Sequence, residues 1–187
     1  EKYIRNSPTR QNESVLNIIG SKGRQNEERQ RVVHERAREL VGKAKFFVAG
    51  EAVEIAGEDP KVRIVKGFNE LVVRTYPNLG MLKNKNYDEK DIKNYLDIMK
   101  DSLLTDQLTE PEQDMLGFIR SNKTIGTRVT IKSLEEKYSR KPYGWYLDAI
   151  QCVTAMLLGR GQIEARVDSN ILEGAELEQA LKNTYGF

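Results

Sequence analysis

Residues 141–170, KPYGWYLDAIQCVTAMLLGRGQIEARVDSN, constrain the fold of this chain more than any other segment. KPYG predicts a tight turn, after which an apolar helix is expected to begin at Trp145 and to reach Leu158. Gly159 and Gly161 end the helix. GQIEARV and NIL then alternate as two short strands, with Asp168-Ser169 at the tip between them. The segment therefore predicts a helix followed by a two-stranded wing.

Two capping boxes precede this segment. Thr109-Glu-Pro-Glu112 predicts a helix to about Ser121, and Ser133-Leu-Glu-Glu136 predicts a short helix ending near Tyr138 or Ser139. Between them, RVTI at residues 128–131 alternates like a short strand. The predicted order is helix, strand, helix, helix, strand, strand and a final helix over Gly174–Lys182, which is a winged helix: a helix-turn-helix with a β-wing.

The N-terminal half predicts a smaller α+β unit. A helix from about Gln25 to Lys45 has one narrow apolar stripe, and residues 46–55 alternate around Gly50-Glu51 as a hairpin. Asp59 is a candidate N-cap and Pro60 a candidate first residue for the next helix. That helix is expected to bury four apolar side chains, Val65, Phe68, Leu71 and Val72.

The fold class is therefore α+β: a helix-hairpin-helix unit joined by a helix to a winged-helix domain. We predict a tail or linker at residues 1–24, the α+β unit at 25–83, a connecting helix at 84–108 and the winged helix at 109–187. The connecting helix is expected to begin at Asp88, with Ile92, Tyr95, Leu96, Met99 and Leu103 at helical spacing. The chain begins at Glu1 without a methionine, so we expect it to be part of a longer protein.

The second helix of a helix-turn-helix that reads DNA offers Arg, Lys, Asn or Gln to base edges. Here that helix has no Lys or Arg before Arg160, and only Gln151 and Thr154 are suitable for base contacts. Trp145 and Tyr143 could stack on bases, but aromatic side chains that follow a turn more often lock it to the core. We therefore favour protein packing over base readout for this helix.

Charge supports the same preference. Residues 1–45 hold 11 Lys/Arg against 6 Asp/Glu, whereas residues 110–187 hold 10 against 11. A nucleic-acid binder concentrates positive charge where it meets phosphate. Sequence-nonspecific DNA binding stays open as the alternative, and its candidate contacts are Arg29, Arg31, Arg36, Arg38, Lys123, Arg128, Lys132, Arg140, Lys141 and Arg166.

No catalytic or cofactor site is evident in the sequence. The lone cysteine, Cys152, and the lone histidine, His34, give no cluster of soft metal ligands, and we expect Cys152 to be a small apolar residue. Gly20 to Gly23, GSKG, lacks the spacing of a phosphate-binding loop. No apolar run is long enough for a membrane span, so a cytoplasmic location is the expectation. We expect this chain to be neither an enzyme nor the holder of a cofactor.

Residues 44–82, AKFFVAGEAVEIAGEDPKVRIVKGFNELVVRTYPNLGML, resemble a region of the large P-loop proteins of BREX phage-defence systems, the BrxC family. Residues 141–165, KPYGWYLDAIQCVTAMLLGRGQIEA, resemble a downstream segment of the same proteins. The resemblance implies a large cytoplasmic ATPase parent with its P-loop outside this chain. It also implies that this segment is an accessory module whose partners are other domains of the ATPase and other defence proteins.

Overall fold

The computed structural model describes residues 13–83, 85–101 and 107–183. The chain divides into two compact units, Glu1–Leu71 and Val72–Phe187. Residues 1–12, part of the predicted tail, lie outside the described residues, as does Leu103.

The described residues of the first unit form two helices and one hairpin. Helix α1 is Glu13–Lys43, strands β1 and β2 are Phe46–Val48 and Glu51–Val53, and helix α2 is Pro60–Thr75, which continues into the second unit. The strands pair antiparallel with Val48 opposite Glu51. Ala49 and Gly50 therefore form the turn, one residue earlier than predicted, and both have positive φ (53° and 84°), as a tight two-residue hairpin requires.

The start of α2 agrees with the sequence, because the Asp59 carboxylate accepts a hydrogen bond of 2.8 Å from the Val62 amide and Pro60 is the first helical residue. The side chains that the helix was predicted to bury differ from the prediction. Val65, Phe68 and Leu71 are exposed, and Val72 is only half-buried. Helix α1 begins at Glu13, twelve residues before the predicted start, and Val33 and Leu40 of its apolar stripe are also exposed. The predicted burial of Val65, Phe68 and Leu71 was wrong, because the described residues leave these side chains exposed.

The second unit is built around one buried helix. A 3-10 helix at Pro77–Leu82 is followed by α3 (Asp91–Asp101), α4 (Glu110–Thr124), α5 (Ile131–Tyr138) and α6 (Leu147–Gly159). Strands β3 (Arg166–Val167) and β4 (Asn170–Ile171) form the wing, and α7 is Gly174–Lys182. Helices α3, α4, α5 and α7 all pack against α6. The core of the unit therefore surrounds α6.

The segment before α5 differs from its prediction. Residues 128–130 form no strand, and Ile131 is already the first residue of α5. The cap is Thr130, whose hydroxyl accepts from the Ser133 amide (3.2 Å) while the Ser133 hydroxyl accepts from the Thr130 amide (2.8 Å). The capping box thus begins three residues before the predicted Ser133-Glu136 box. Ser133 fits either position, and a threonine in extended backbone one residue before Ile131 takes the cap.

The remaining boundaries are closer to expectation. The Thr109-Glu112 capping box opens α4, and α7 has its predicted limits. Helix α3 begins at Asp91 instead of Asp88, and α6 begins at Leu147 instead of Trp145. The wing turn is Asp168-Ser169 as predicted, with φ of 48° and 72°. In the described parts of the chain, no helix combines the length and apolar content that crossing a bilayer demands.

Candidate interaction surface of the winged helix

The turn between α5 and α6 is locked by aromatic side chains. The rings of Tyr138 and Trp145 stack with centroids 4.6 Å apart, and Tyr143 packs edge-on against both. Trp145 is 1% exposed, and its indole N–H donates to the Asn78 carbonyl at 3.1 Å. The prediction that Trp145 belongs to the core is confirmed, and this ring is unavailable for stacking on a base.

Asp114 of α4 ties the same turn to the rest of the unit. Its two carboxylate oxygens accept hydrogen bonds from the hydroxyls of Tyr138 (2.9 Å) and Tyr143 (3.2 Å). Burial first, and then the hydrogen bond to Asp114, raises the pKa of both tyrosines. The Lys137 ammonium lies 4.4 Å from the Phe118 ring centroid and covers the outer side of the cluster. These contacts hold the turn against α4.

Gly144 within this turn has a backbone that other residues rarely adopt. Its φ is +66°, and a Cβ there would lie 2.5 Å from Cδ1 of Tyr76. Both the conformation and the close approach of Tyr76 require glycine. The sequence signal KPYG is thus explained by packing.

The outer face of α6 is covered. Every residue from Ala149 to Leu157 is buried, including Gln151 and Thr154, the two side chains suitable for base contacts. The Gln151 amide donates to the Leu181 carbonyl at 2.8 Å, and the Thr154 hydroxyl donates to the Ile150 carbonyl at 2.8 Å. Both candidate base-reading side chains therefore point into the protein.

Helix α3 contributes much of this cover. It packs along α6, and its Ile92 and Leu96 belong to the same core cluster. The thiol of Cys152 lies 3.4 Å from the Asp88 carbonyl just before α3. Burial, with smaller contributions from the charges of Asp91 and Asp148, raises the pKa of this thiol to about 12. Cys152, interpreted from the sequence as a small apolar residue, is fully buried in the core.

A buried ion pair that the sequence did not reveal holds α4 to the end of α6. Glu112 is completely buried, and its Oε1 lies 2.9 Å from Nε of Arg160. Its Oε2 accepts from the Thr109 amide (2.8 Å) and hydroxyl (2.6 Å). The capping box in the sequence predicted the contact of Glu112 with Thr109. No local sequence pattern indicates that Glu112 also pairs with the distant Arg160.

The ten candidate nucleic-acid contacts are all exposed, and the four on α1 do not form one surface. Arg29 and Arg36 lie seven residues apart on α1, as do Arg31 and Arg38, and the two pairs face opposite sides because two residues turn a helix by about 200°. Arg31 pairs with Glu28 and Glu35, and the hydrogen bond from Arg31 lowers the pKa of Glu28. The helix is thus a solvated, mixed-charge surface.

The other six candidates are distributed over the second unit. Lys123 is near the end of α4, Arg128 is in the following loop, Lys132 is in the first turn of α5, Arg140 and Lys141 are in the turn before α6, and Arg166 is in the wing. Arg166 pairs with Glu164 at 2.8 Å. Large apolar side chains are also exposed here, and the sequence reasoning did not single them out: Ile125, Tyr146 and Ile171.

The order of α4, α5, α6, the β3–β4 wing and α7 defines a winged helix-turn-helix protein. Comparison with protein families makes this specific. Residues 78–184 match the winged helix-turn-helix domain of the BREX ATP-binding protein BrxC, and residues 1–71 match the fourth domain of BrxC, described as having a six-stranded β-sheet. The chain belongs to the BrxC family of the BREX phage-defence system. No solved structure matches the chain.

Proposed function

We propose that this chain is an accessory interaction module of a BREX ATPase, and that its winged helix positions neighbouring domains or other defence proteins. The buried state of α6 is the observation that carries the proposal. ATP turnover is assigned to the P-loop part of the longer cytoplasmic protein, with no catalytic or cofactor-binding role for this segment.

Reading the major groove through α6 would require α3 to detach. Ile92 and Leu96 would then leave the core. Exposing a large aliphatic side chain costs about 1.5–3 kcal/mol, so the two together cost roughly 3–6 kcal/mol. Base contacts by Gln151 and Thr154 would also break their buried hydrogen bonds. A fold that keeps α6 in place favours a positioning role over sequence readout.

The exposed apolar side chains of the second unit are the candidate contacts for a protein partner. Ile125 is 74% exposed in the loop before α5, and Ile171 is 52% exposed in the wing. Burying such side chains at an interface removes apolar surface from water and so stabilises the complex. We assign them to docking.

The test uses the full-length family protein carrying Ile125→Asn or Ile171→Thr. We expect each variant to lower copurification with the other components of the defence system and to weaken phage resistance measured by plating efficiency, while ATP hydrolysis is retained. Thr127→Asn, an exposed polar position in the same loop, is the matched control. Unchanged association and resistance in both variants would contradict the proposal.

The second candidate is sequence-nonspecific DNA binding, favoured by exposed Lys132, Arg140 and Lys141 at α5 and the turn that follows it. Fluorescence anisotropy with labelled duplex DNA at low and near-physiological salt separates the two. Each lost phosphate contact reduces the slope of log K against log[salt] by about 0.9, so a triple alanine variant would reduce it by up to about 2.7. Replacement of Arg29, Arg31, Arg36 and Arg38 by alanine tests α1 separately. Tight, salt-sensitive binding lost in the triple variant would favour DNA.

A further inference from the structure

Helix α2 presents an apolar stripe that the described residues of its unit leave uncovered. The stripe consists of Ile64, Val65, Phe68 and Leu71, and we call it the α2 stripe. All four side chains are exposed, Phe68 at 62%. Their spacing places them within about 120° of one helix face, since each residue turns the helix by about 100°. An apolar helix face of this width normally packs against another element.

The hairpin packs on α2 immediately beside this stripe. The Phe46 ring rests on Gly67, where a Cβ would lie 2.7 Å from Cδ1 of Phe46. Arg63 secures the same face: its guanidinium lies 5.3 Å from the Phe46 ring centroid and donates to the backbone carbonyls of Ala44, Ile55 and Gly57. Gly67 is about 40° from Leu71 around the helix and about 60° from Ile64. A sheet that continued from the hairpin on the side of Ile64 and Leu71 would pass over the stripe.

The described part of this unit holds a smaller sheet than the matched family domain. Within the described residues 13–71 there are two strands, whereas the family domain that matches residues 1–71 has a six-stranded sheet. Neighbouring strands lie about 4.8 Å apart, so four further strands would extend the hairpin by about 19 Å. A helix with its side chains is about 10 Å across. Four strands suffice to cover the α2 stripe.

We propose that the α2 stripe is the docking surface for the remaining strands of the six-stranded sheet, supplied by another segment of the same longer protein. These strands continue the β1–β2 ladder through an open edge and present their apolar face to Ile64, Val65, Phe68 and Leu71. Residues 13–71 are then half of a shared core. The proposal concerns the first unit and is independent of the function proposed for the winged helix.

Thiol labelling tests this occupant directly. Cys152 is buried with a raised pKa, so the natural chain has a slow background with a maleimide reagent. Phe68→Cys is introduced into the 187-residue chain and into the full-length natural protein. We expect the introduced thiol to react at least about tenfold more slowly in the full-length protein, as burial under strands requires. Glu176→Cys, exposed on α7, is the control and should react at similar rates in both.

Two outcomes would overturn the proposal. The first is equal labelling of the Phe68→Cys thiol in both proteins. The second is protection already present in the 187-residue chain that increases with protein concentration, which would identify a second copy of this chain as the occupant. Ile64→Cys repeats the measurement at a smaller side chain should Phe68→Cys prevent folding. Because labelling reports only on α2, failure of the winged helix to bind partners would leave this result unaffected.

Discussion

Glu112 shows how a single side chain connects three parts of the second unit. It is fully buried, it caps the start of α4 through Thr109, and it pairs with Arg160 at the end of α6. Such a pair contributes little net stability compared with apolar residues of the same volume. Removing one partner destabilises the fold strongly, because the other charge stays buried and unpaired.

We therefore expect Glu112→Ala to lower the free energy of unfolding by about 3–5 kcal/mol, measured by urea denaturation. Glu136→Ala, at an exposed position on α5, should change it by less than about 0.5 kcal/mol. A double variant, Glu112→Leu with Arg160→Met, should recover part of the loss. A Glu112→Ala effect as small as that of Glu136→Ala would refute the structural role of the pair.

Cys152 predicts a defined alkaline dependence of stability. Its pKa is raised from an ordinary value of 9.0 to about 12 by burial. Between these values the unfolded chain loses the thiol proton and the folded chain keeps it, so the free energy of unfolding falls as pH rises, by up to about 1.4 kcal/mol per pH unit. Below pH 9 the thiol is protonated in both states, so it does not make the free energy of unfolding depend on pH.

Urea denaturation of the natural chain and of Cys152→Ala at pH 8, 9, 10 and 10.5 checks this dependence. We expect the natural chain to lose stability more steeply with pH above 9, and the two profiles to run parallel below it. Tyrosine ionisation contributes to both chains alike and cancels in the comparison. Parallel profiles over the whole range would contradict burial as the cause of the raised pKa.

At the scale of elements, Thr130 illustrates a capping signal that sequence reasoning placed at the wrong residue. Thr130→Ala removes the acceptor for the Ser133 amide at the start of α5. We expect a loss of about 0.5–2 kcal/mol of unfolding free energy by urea denaturation. Thr127→Ala in the same loop is the control, and equal losses in the two variants would show that the loop, and not the cap, matters.

The element order was predictable where capping and turn residues stand close together in sequence. Asp59-Pro60, Thr109-Glu112 and Asp168-Ser169 each mark a boundary that the structure confirms. RVTI was misassigned because alternation over four residues fits a strand as well as the extended approach to a helix. The burial of the outer face of α6 was not predictable. Helix α3 covers it, and no local pattern in the sequence shows that these two distant helices pack together.

The burial of Gln151 shows the same limit within the candidate site. A polar side chain on a helix normally marks the solvent side, yet here the Leu181 carbonyl satisfies it inside the core. Likewise Val65, Phe68 and Leu71 of α2 were recognised as apolar, but the sequence could not show that the described residues leave them exposed. Local pattern reveals which faces are apolar, and long-range pairing decides which are buried.

At the scale of the whole molecule, the two units differ sharply in their cores. Among the described residues 13–71, Val48 is the one large hydrophobic residue that is buried, whereas the second unit holds a continuous core around α6. Local opening free energy follows the apolar area that an element buries. The first unit in this chain should therefore open far more readily than the second.

Hydrogen exchange with mass spectrometry checks this difference on the 187-residue chain. We expect amides of β1, β2 and α2 up to Leu71 to exchange at least about 100-fold faster than those of α6, because a difference of about 2.7 kcal/mol in opening free energy gives that ratio. The measurement is made at several protein concentrations, so that protection by self-association appears as a concentration dependence. Equal, concentration-independent protection in both units would mean that the hairpin and α2 form a stable core alone, which their exposed apolar faces argue against.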